Sequence, residues 1–350
     1  MWQRPEVLTD GADEPTARCL PMMGLMLVAA VPPSPQVLPC PLSAGWELVR
    51  TLQLPRKGLD GRAVGGFSAA AYQAEQDRLW LLSDAPQSYL MPWGGLARLL
   101  RGGASALTPG PRVLLRTAQG ESWPAGLDGE GLVLQGDQAW IVSEGRRTQR
   151  QPASLISVNL TTGRLLQERP LPTSWRAAPG RGLAVNQGPE SLTALAPGDL
   201  LMAAEAPLLQ QRGRAGIALA RSRSGGLAEP YGSLNLTSLG QQHGLTDLLA
   251  LPRERQLLAL VRRVSFPFWW KAWLVLFPLS PHGSEARQPL RSWDLIKAGL
   301  PADNWEALSV GPVLADGRRT LLLASDDNFS ILQSNWLVVL APRRSADCSE

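Results

Sequence analysis

Five positions in this 350-residue chain recur at near-constant spacing, and most carry residue types that acid–base or metal chemistry needs. Aligning Ser68, Glu130, Glu190, Thr246 and Glu306 gives intervals of 62, 60, 56 and 60 residues. Each opens a short strand-like segment. A tight turn follows, then an apolar strand closing near Asp84, Glu144, Glu205, Arg262 or Asp326. Asp247 stands beside Thr246, and Asp128, Asp303 and Asp327 lie close by. Crowded carboxylates raise one another's pKa unless a positive charge compensates them. Calcium suits that role, because it takes several carboxylate and carbonyl oxygens in flexible geometry. Glu130, Glu144, Glu190, Glu205, Asp247, Glu306 and Asp326 are therefore the candidate metal ligands, with Asn186, Asn304 and Asn328 as neutral oxygens. Arg262 replaces the acid in the fourth copy and offers a built-in counter-charge. Two other arrangements satisfy the same pattern: an arginine-balanced polar network without metal, and solvated acids that cap turns.

The spacing also dictates what must position these residues. A repeat of this length made of short strands belongs to a propeller or another radial array. Strands are expected at 96–100 and 112–117 in the first copy, and at 154–159 and 164–169 in the second. In the third they are expected at 216–221 and near Leu234, and in the fourth at 272–277 and 288–293. Four strands per copy make a blade. The fifth copy has room for only one further strand, 336–340, and the segment 46–54 can supply its fourth by pairing there. The expected fold is an all-β five-bladed propeller closed by both ends of the chain, with six blades as the alternative. The turns Gly136-Asp137, Pro197-Gly198-Asp199 and Asp316-Gly317 fold anchors into hairpins. With the first strand of each hairpin innermost, the open ends gather the acids at one mouth of the channel.

Several anchors carry a more specific signature. These are Gly66-Phe67-Ser68, Asp128-Gly129-Glu130-Gly131, Val142-Ser143-Glu144-Gly145 and Asn186-Gln187-Gly188-Pro189-Glu190. Glu205-Ala206-Pro207-Leu208, Asn304-Trp305-Glu306-Ala307-Leu308 and the run from Leu321 through Asp326-Asp327-Asn328-Phe329 to Gln333 complete the set. Over residues 46–342 the chain resembles the phytase-like domain family, also described as esterase-like activity of phytase. The resemblance implies a β-propeller, often exported, with phosphoesterase activity. On that reading Glu130, Glu190, Glu306 and Arg262 are the candidate catalytic residues, calcium is the cofactor, and the ligand is a small phosphorylated molecule. The alternative is a non-catalytic propeller that binds a ligand or protein partner and carries a structural metal.

Composition narrows the remaining classes. The chain is 44% hydrophobic and 18% charged, which supports a packed core rather than disorder. Its net charge of +4 comes from dispersed arginines with no dense basic block, so nucleic-acid binding is not expected. The three cysteines form no CxxC pair and His243 and His282 are the only histidines, which argues against a zinc or histidine-based centre. Residues 1–44 are read as a leader: an apolar run at 22–31 is too short to span a bilayer but suits an exported precursor, and a proline-rich linker follows. The propeller is expected at 45–342, with a tail at 343–350. Cys40 and Cys348 lie just beyond the two closing strands; a disulfide stapling the ring and two unpaired thiols are both open readings. The stretch from Ser265 to Phe277 reads as a buried strand preceded by an aromatic loop, or as a platform of Phe268, Trp269 and Trp270 for a partner, glycan or membrane surface. No transmembrane span and a monomer are expected.

Overall fold

Middle strands such as Leu79-Trp80-Leu81-Leu82 and Leu321-Leu322-Leu323-Ala324 are apolar without alternation. That pattern requires burial on both faces, as in a sheet sandwiched between two others. The computed structural model describes residues 45–123, 126–145, 151–211, 216–240, 243–265, 269–279 and 286–344. The expected leader, the Cys40–Cys348 pairing and Phe268 lie outside these residues.

The chain enters through β1 (Trp46–Gln53). Blade one contains β2 (Phe67–Gln73), β3 (Arg78–Ser83) and β4 (Tyr89–Gly94), then the short helix α1 (Leu96–Leu100) and an outer edge split into β5 (Thr108–Pro109) and β6 (Val113–Leu114). Blade two is β7 (Gly129–Gln135), β8 (Gln138–Ser143), β9 (Ser154–Asn159) and β10 (Leu165–Pro170). Blade three is β11 (Pro189–Ala196), β12 (Asp199–Ala204), β13 (Ile217–Ser222) and β14 (Ala228–Leu234). Blade four is β15 (Gly244–Leu251), β16 (Gln256–Ser265) and β17 (Trp269–Pro278). Its chain then lends β18 (Ala286–Arg287) to β14 before returning as β19 (Arg291–Asp294). Blade five is β20 (Asn304–Val313), β21 (Arg319–Asp326) and β22 (Trp336–Pro342), with β1 as its outer strand.

The molecule is therefore a five-bladed propeller. The inner strands β2, β7, β11, β15 and β20 each touch the next, and β20 returns to β2. Five buried clusters fill the five interfaces between blades; Leu260 and Leu274 of blade four, for example, pack with Trp305 and Leu323 of blade five. The closure is the expected one. β1 lies antiparallel to β22, from Trp46 opposite Pro342 to Gln53 opposite Trp336. Arg318 clips this seam by donating to the Pro342 carbonyl at 2.9 Å and pairing with Glu47 and Asp316. Among the described residues no helix is long and apolar enough to cross a membrane.

Two expected strands are placed differently. Residues 96–100 form α1, and the third strand of blade one is β4 instead. Leu96-Ala97-Arg98-Leu99-Leu100 is rich in helix formers, and Leu96 and Leu99 bury one face at a spacing of three. The Asp77 carboxylate accepts from Ala97 N at 2.7 Å and Arg98 N at 3.2 Å, which satisfies amides that a helix start leaves open. In blade four the outer strand is Arg291–Asp294, not 288–293, because 286–287 is drawn to blade three. There Arg287 lies over the Tyr231 ring and donates to its backbone carbonyl at 3.2 Å.

Leu337 is fully buried in β22, between blades five and one. Leu337→Ala should lower unfolding stability by about 3 kcal/mol in urea titration. A change below about 1 kcal/mol would mean that the seam is not part of the cooperative unit.

Candidate functional site

A β-bulge places the key residue of every blade. The inner-strand register slips between Phe67 and Ala69, Gly129 and Gly131, Pro189 and Ser191, Leu245 and Asp247, and Trp305 and Ala307. The skipped residues are Ser68, Glu130, Glu190, Thr246 and Glu306, the five positions that the repeat aligns. A bulge re-aims one side chain without ending the strand. Two of the five become clips between blades: Ser68 Oγ donates to Gly129 O at 2.6 Å and Thr246 Oγ1 to Trp305 O at 3.1 Å. The other three are glutamates that share one space, since each enters the electrostatic surroundings of another.

The closing ends of the second strands complete the mouth. Arg262 Nη2 lies 3.0 Å from Glu306 Oε1 and 3.8 Å from Glu205 Oε1. Asn304 Nδ2 donates to Glu306 Oε1 at 2.8 Å and reaches Asp326 Oδ2 at 3.5 Å. Glycines make room for the acids at the blade junctions. A Cβ on Gly188 would come closer than 3.0 Å to the Glu144 side chain. The same holds for Gly244 against Glu205, Gly66 against Asp84, and Gly65 against Asp327. Gly188 N donates to Glu144 Oε1 at 2.6 Å and Gly66 N to Asp327 Oδ1 at 3.1 Å. Asp327 is held separately by Arg56 at 3.0 Å.

Not every expected ligand joins this group. Asp247 follows its bulge, so its side chain turns toward the blade interface. Its Oδ1 accepts from Leu248 N at 2.8 Å and its Oδ2 from Leu308 N at 2.6 Å, and no charged group perturbs it. It joins blades four and five rather than facing the cluster. Glu130, Glu190, Glu205, Glu306, Asp326 and Arg262 do come together, while Glu144 sits to one side against Gly188 and still senses Glu190. Asn304, one of the expected neutral oxygens, belongs with them, and so does Asp84, an expected closing acid that was not among the candidate ligands. For Asp84 the signal was available: it holds in blade one the place that Glu144, Glu205 and Asp326 hold in theirs.

Burial pushes the carboxyls of Glu130, Glu190, Glu205, Glu306 and Asp326 upward, and neighbouring carboxylates add to this for all but Glu306. Arg262 pulls Glu190, Glu205 and Glu306 the other way. Asp84 is pushed up to about 7, by burial first and then by Glu306 and Asp128. Burial opposes the charge on Arg262, but Glu306, Glu205, Glu190 and Asp326 outweigh it and its pKa rises.

Two polar atoms in the cluster are buried without a partner, Asn304 Oδ1 and Arg262 Nε. One accepts and the other donates, so a bound polar ligand would satisfy both. The donor set suits a hard cation in kind: it is all oxygen, it is short of positive charge, and Asn304 Oδ1 is an unsatisfied neutral oxygen. The side chains are not, however, gathered into a ready cage, since no three His, Cys, Asp or Glu residues among those described are arranged to hold one ion. Beside the mouth, between blade two and the connector to blade three, lies a cavity of about 780 Å³. Asp128, Glu144 and Gly188 line its inner end, with Leu171, Arg176 and Leu183 elsewhere on its wall.

Residues 62–329 match the family model described as "Phytase-like: Esterase-like activity of phytase". The chain belongs to the phytase-like family. No curated protein matches this phytase-like chain. Among solved structures, a gluconolactonase from Xanthomonas campestris is 14% identical with a TM-score of 0.41, covering 89% of this chain and 99% of its own. The N-terminal domain of Nup159 is 12% identical with a TM-score of 0.38, covering 85% and 95%. A Bacteroides vulgatus member of the DUF4221 family is 7% identical with a TM-score of 0.37, covering 85% and 96%.

The raised acids of the phytase-like mouth make stability pH-dependent. Where a folded pKa lies above the unfolded value, the folded state binds more protons between the two, so stability falls as pH rises through that window. For Asp84 the window runs from the usual aspartate value of 3.8 to about 7. In chelator the melting temperature should fall between pH 5 and pH 8, and Asp84→Asn should flatten the decline. An equally steep decline in Asp84→Asn would place that carboxyl outside the cluster.

Proposed function

We propose that this mouth binds and hydrolyses phosphoric esters with the help of a calcium ion, in an exported protein. The observation that carries the reading is the placement of Arg262 among Glu190, Glu205 and Glu306, with its Nε left unpaired. Arg262 Nε and the guanidinium fork suit a phosphate oxygen. The same charge favours the ionised forms of Glu190, Glu205 and Glu306 against the burial that opposes them. Glu130, Glu190, Glu306 and Asp326, with Asn304 Oδ1, are the groups that would hold the cation. When bound, it would neutralise phosphate charge and lower the pKa of a coordinated water.

The side chains supply the proton chemistry. A carboxyl titrating near neutral pH is matched to general acid–base work at that pH. Asp84, at about 7, meets this requirement and can hand a proton to the leaving oxygen or take one from water. Family membership supports the ester-hydrolase class. Export is supported by the apolar run at 22–31 in the sequence.

The test is phosphate release from a generic aromatic phosphomonoester, in calcium and in chelator. Release should require calcium and fall about 10²-fold in Glu306→Gln and in Arg262→Lys. No release above background in either condition, with Glu306→Gln indistinguishable from the parent, removes the enzymatic reading. Melting that depends on calcium without any release would assign the cluster to a structural metal in a binding propeller.

A further inference from the structure

We propose that the mouth face of the propeller seats on an anionic lipid bilayer, through apolar loop tips interleaved with lysine and arginine. Large apolar side chains exposed on this protein are not scattered evenly. Of the eleven among the described residues, seven lie on loops or strand extensions of the mouth face: Leu59, Val185, Val264, Trp269, Phe329, Ile331 and Leu332.

Register places each of them. β16 and β17 continue past Arg262 to the pair Ser265–Trp269, so this hairpin stands about 10 Å above the acids at roughly 3.3 Å per residue. Trp269, in the last described pair, is 71% exposed and Val264 44%. The connector from β21 to β22 starts at Asp327, beside the acids, and carries Ile331 and Leu332 at 90% and 78% exposure. The neighbouring connector from β1 to β2 makes a tight turn through Gly58 and Gly61 with Leu59 exposed between them. Val185 lies on the connector between β10 and β11.

Two of these loops are tied to one another. Arg56, on the β1–β2 connector, pairs with Asp327 at 3.0 Å and donates to Gln333 O at 2.7 Å and to Ser330 O, which joins two of the apolar loops. Asn328 and Phe329 both have positive φ, +46° and +50°, a backbone state that non-glycine residues keep only when their surroundings enforce it. Ile331 and Leu332 follow that turn and stand exposed.

The exposed charges of the rim, outside the buried acid cluster, favour an anionic surface over a second protein. The chain has only three lysines, Lys57, Lys271 and Lys297, and all three lie on the mouth side. Lys57 and Lys271 are exposed and have no carboxylate partner among the described residues, while Lys297 pairs with Asp294 only at 3.8 Å. Arg62, Arg176 and Arg181 are exposed on the same side. Separate apolar tips divided by cations are poorly matched to one rigid partner, which needs a continuous complementary patch. A bilayer surface fills the spaces between them, with aromatic and aliphatic tips in the interface and cations at the lipid phosphates.

The experiment is co-sedimentation of the full chain with phosphatidylcholine vesicles, with or without about one third phosphatidylglycerol, read alongside tryptophan emission. Binding is expected to the anionic vesicles, with a blue shift that Trp269→Ala reduces. Ile331→Asp with Leu332→Asp should weaken partitioning at least about tenfold, and Lys57→Glu with Lys271→Glu by a similar factor. Leu227→Asp, an exposed apolar site on the opposite face, should change nothing. Every variant keeps residues 1–44, so vesicle binding that survives the loop substitutions belongs to that segment and overturns the proposal. Absence of binding to either vesicle, or self-association in sedimentation velocity without vesicle binding, also overturns it. Hydrolysis of a soluble phosphomonoester, if present, should be the same in the loop variants, which separates this outcome from that of the catalytic reading.

Discussion

Asp84, Glu130, Glu190, Glu205, Glu306 and Asp326 share a buried mouth with one guanidinium, and this imbalance of charge is the constraint around which the protein is built. Ionised together they would repel strongly in a setting that screens charge poorly. Arg262 offsets part of the repulsion, protonation of the raised carboxyls offsets more, and a ligand or cation would complete the balance. Such a cluster lowers stability by itself. A fold that keeps it must hold each carboxyl in place from behind, and here that is done by backbone: bulges present the glutamates, and glycines give the flanking acids room against the next blade.

The ring supplies the opposing stability. No blade can bury both its faces alone, so the five interface clusters form only when all blades are present. That makes the seam between β1 and β22 decisive, because an open ring would expose two apolar faces and a strand edge. Pairing the two ends of the chain removes that edge and ties the acids of blade five to those of blade one. The mouth is then a property of the closed ring rather than of any single repeat.

Equivalent positions take different duties within this frame. Ser68 and Thr246 occupy the same bulge as the three glutamates, yet their short hydroxyls stop at the neighbouring blade's carbonyl and clip it. The longer glutamate side chains reach past the backbone into the mouth. Asp247, one residue on, spends both oxygens on amides of the blade interface. Side-chain length and a one-residue change of direction thus divide five similar sites into structural and chemical ones. The apolar loops around the mouth follow another logic: they leave the sheets, bury little, and present charge and hydrophobicity to whatever approaches the site.

The repeat spacing, the apolar middle strands and the glycine-bounded turns were enough to determine an all-β ring of five blades and its closure, because period and burial pattern are local properties of the chain. The same spacing marked Glu130, Glu190, Glu205, Glu306, Asp326 and Arg262 as neighbours. Local pattern misjudged 96–100, where a distant Asp77 stabilises a helix, and the strand expected at 288–293, which forms at 291–294 after a neighbouring blade captures 286–287. It also could not separate Asp247 from Glu306, since both are acids near the start of an inner strand. Only tertiary structure decided that, because a bulge reverses the side on which a residue emerges, and which side faces the mouth exists only once the blades have closed around it.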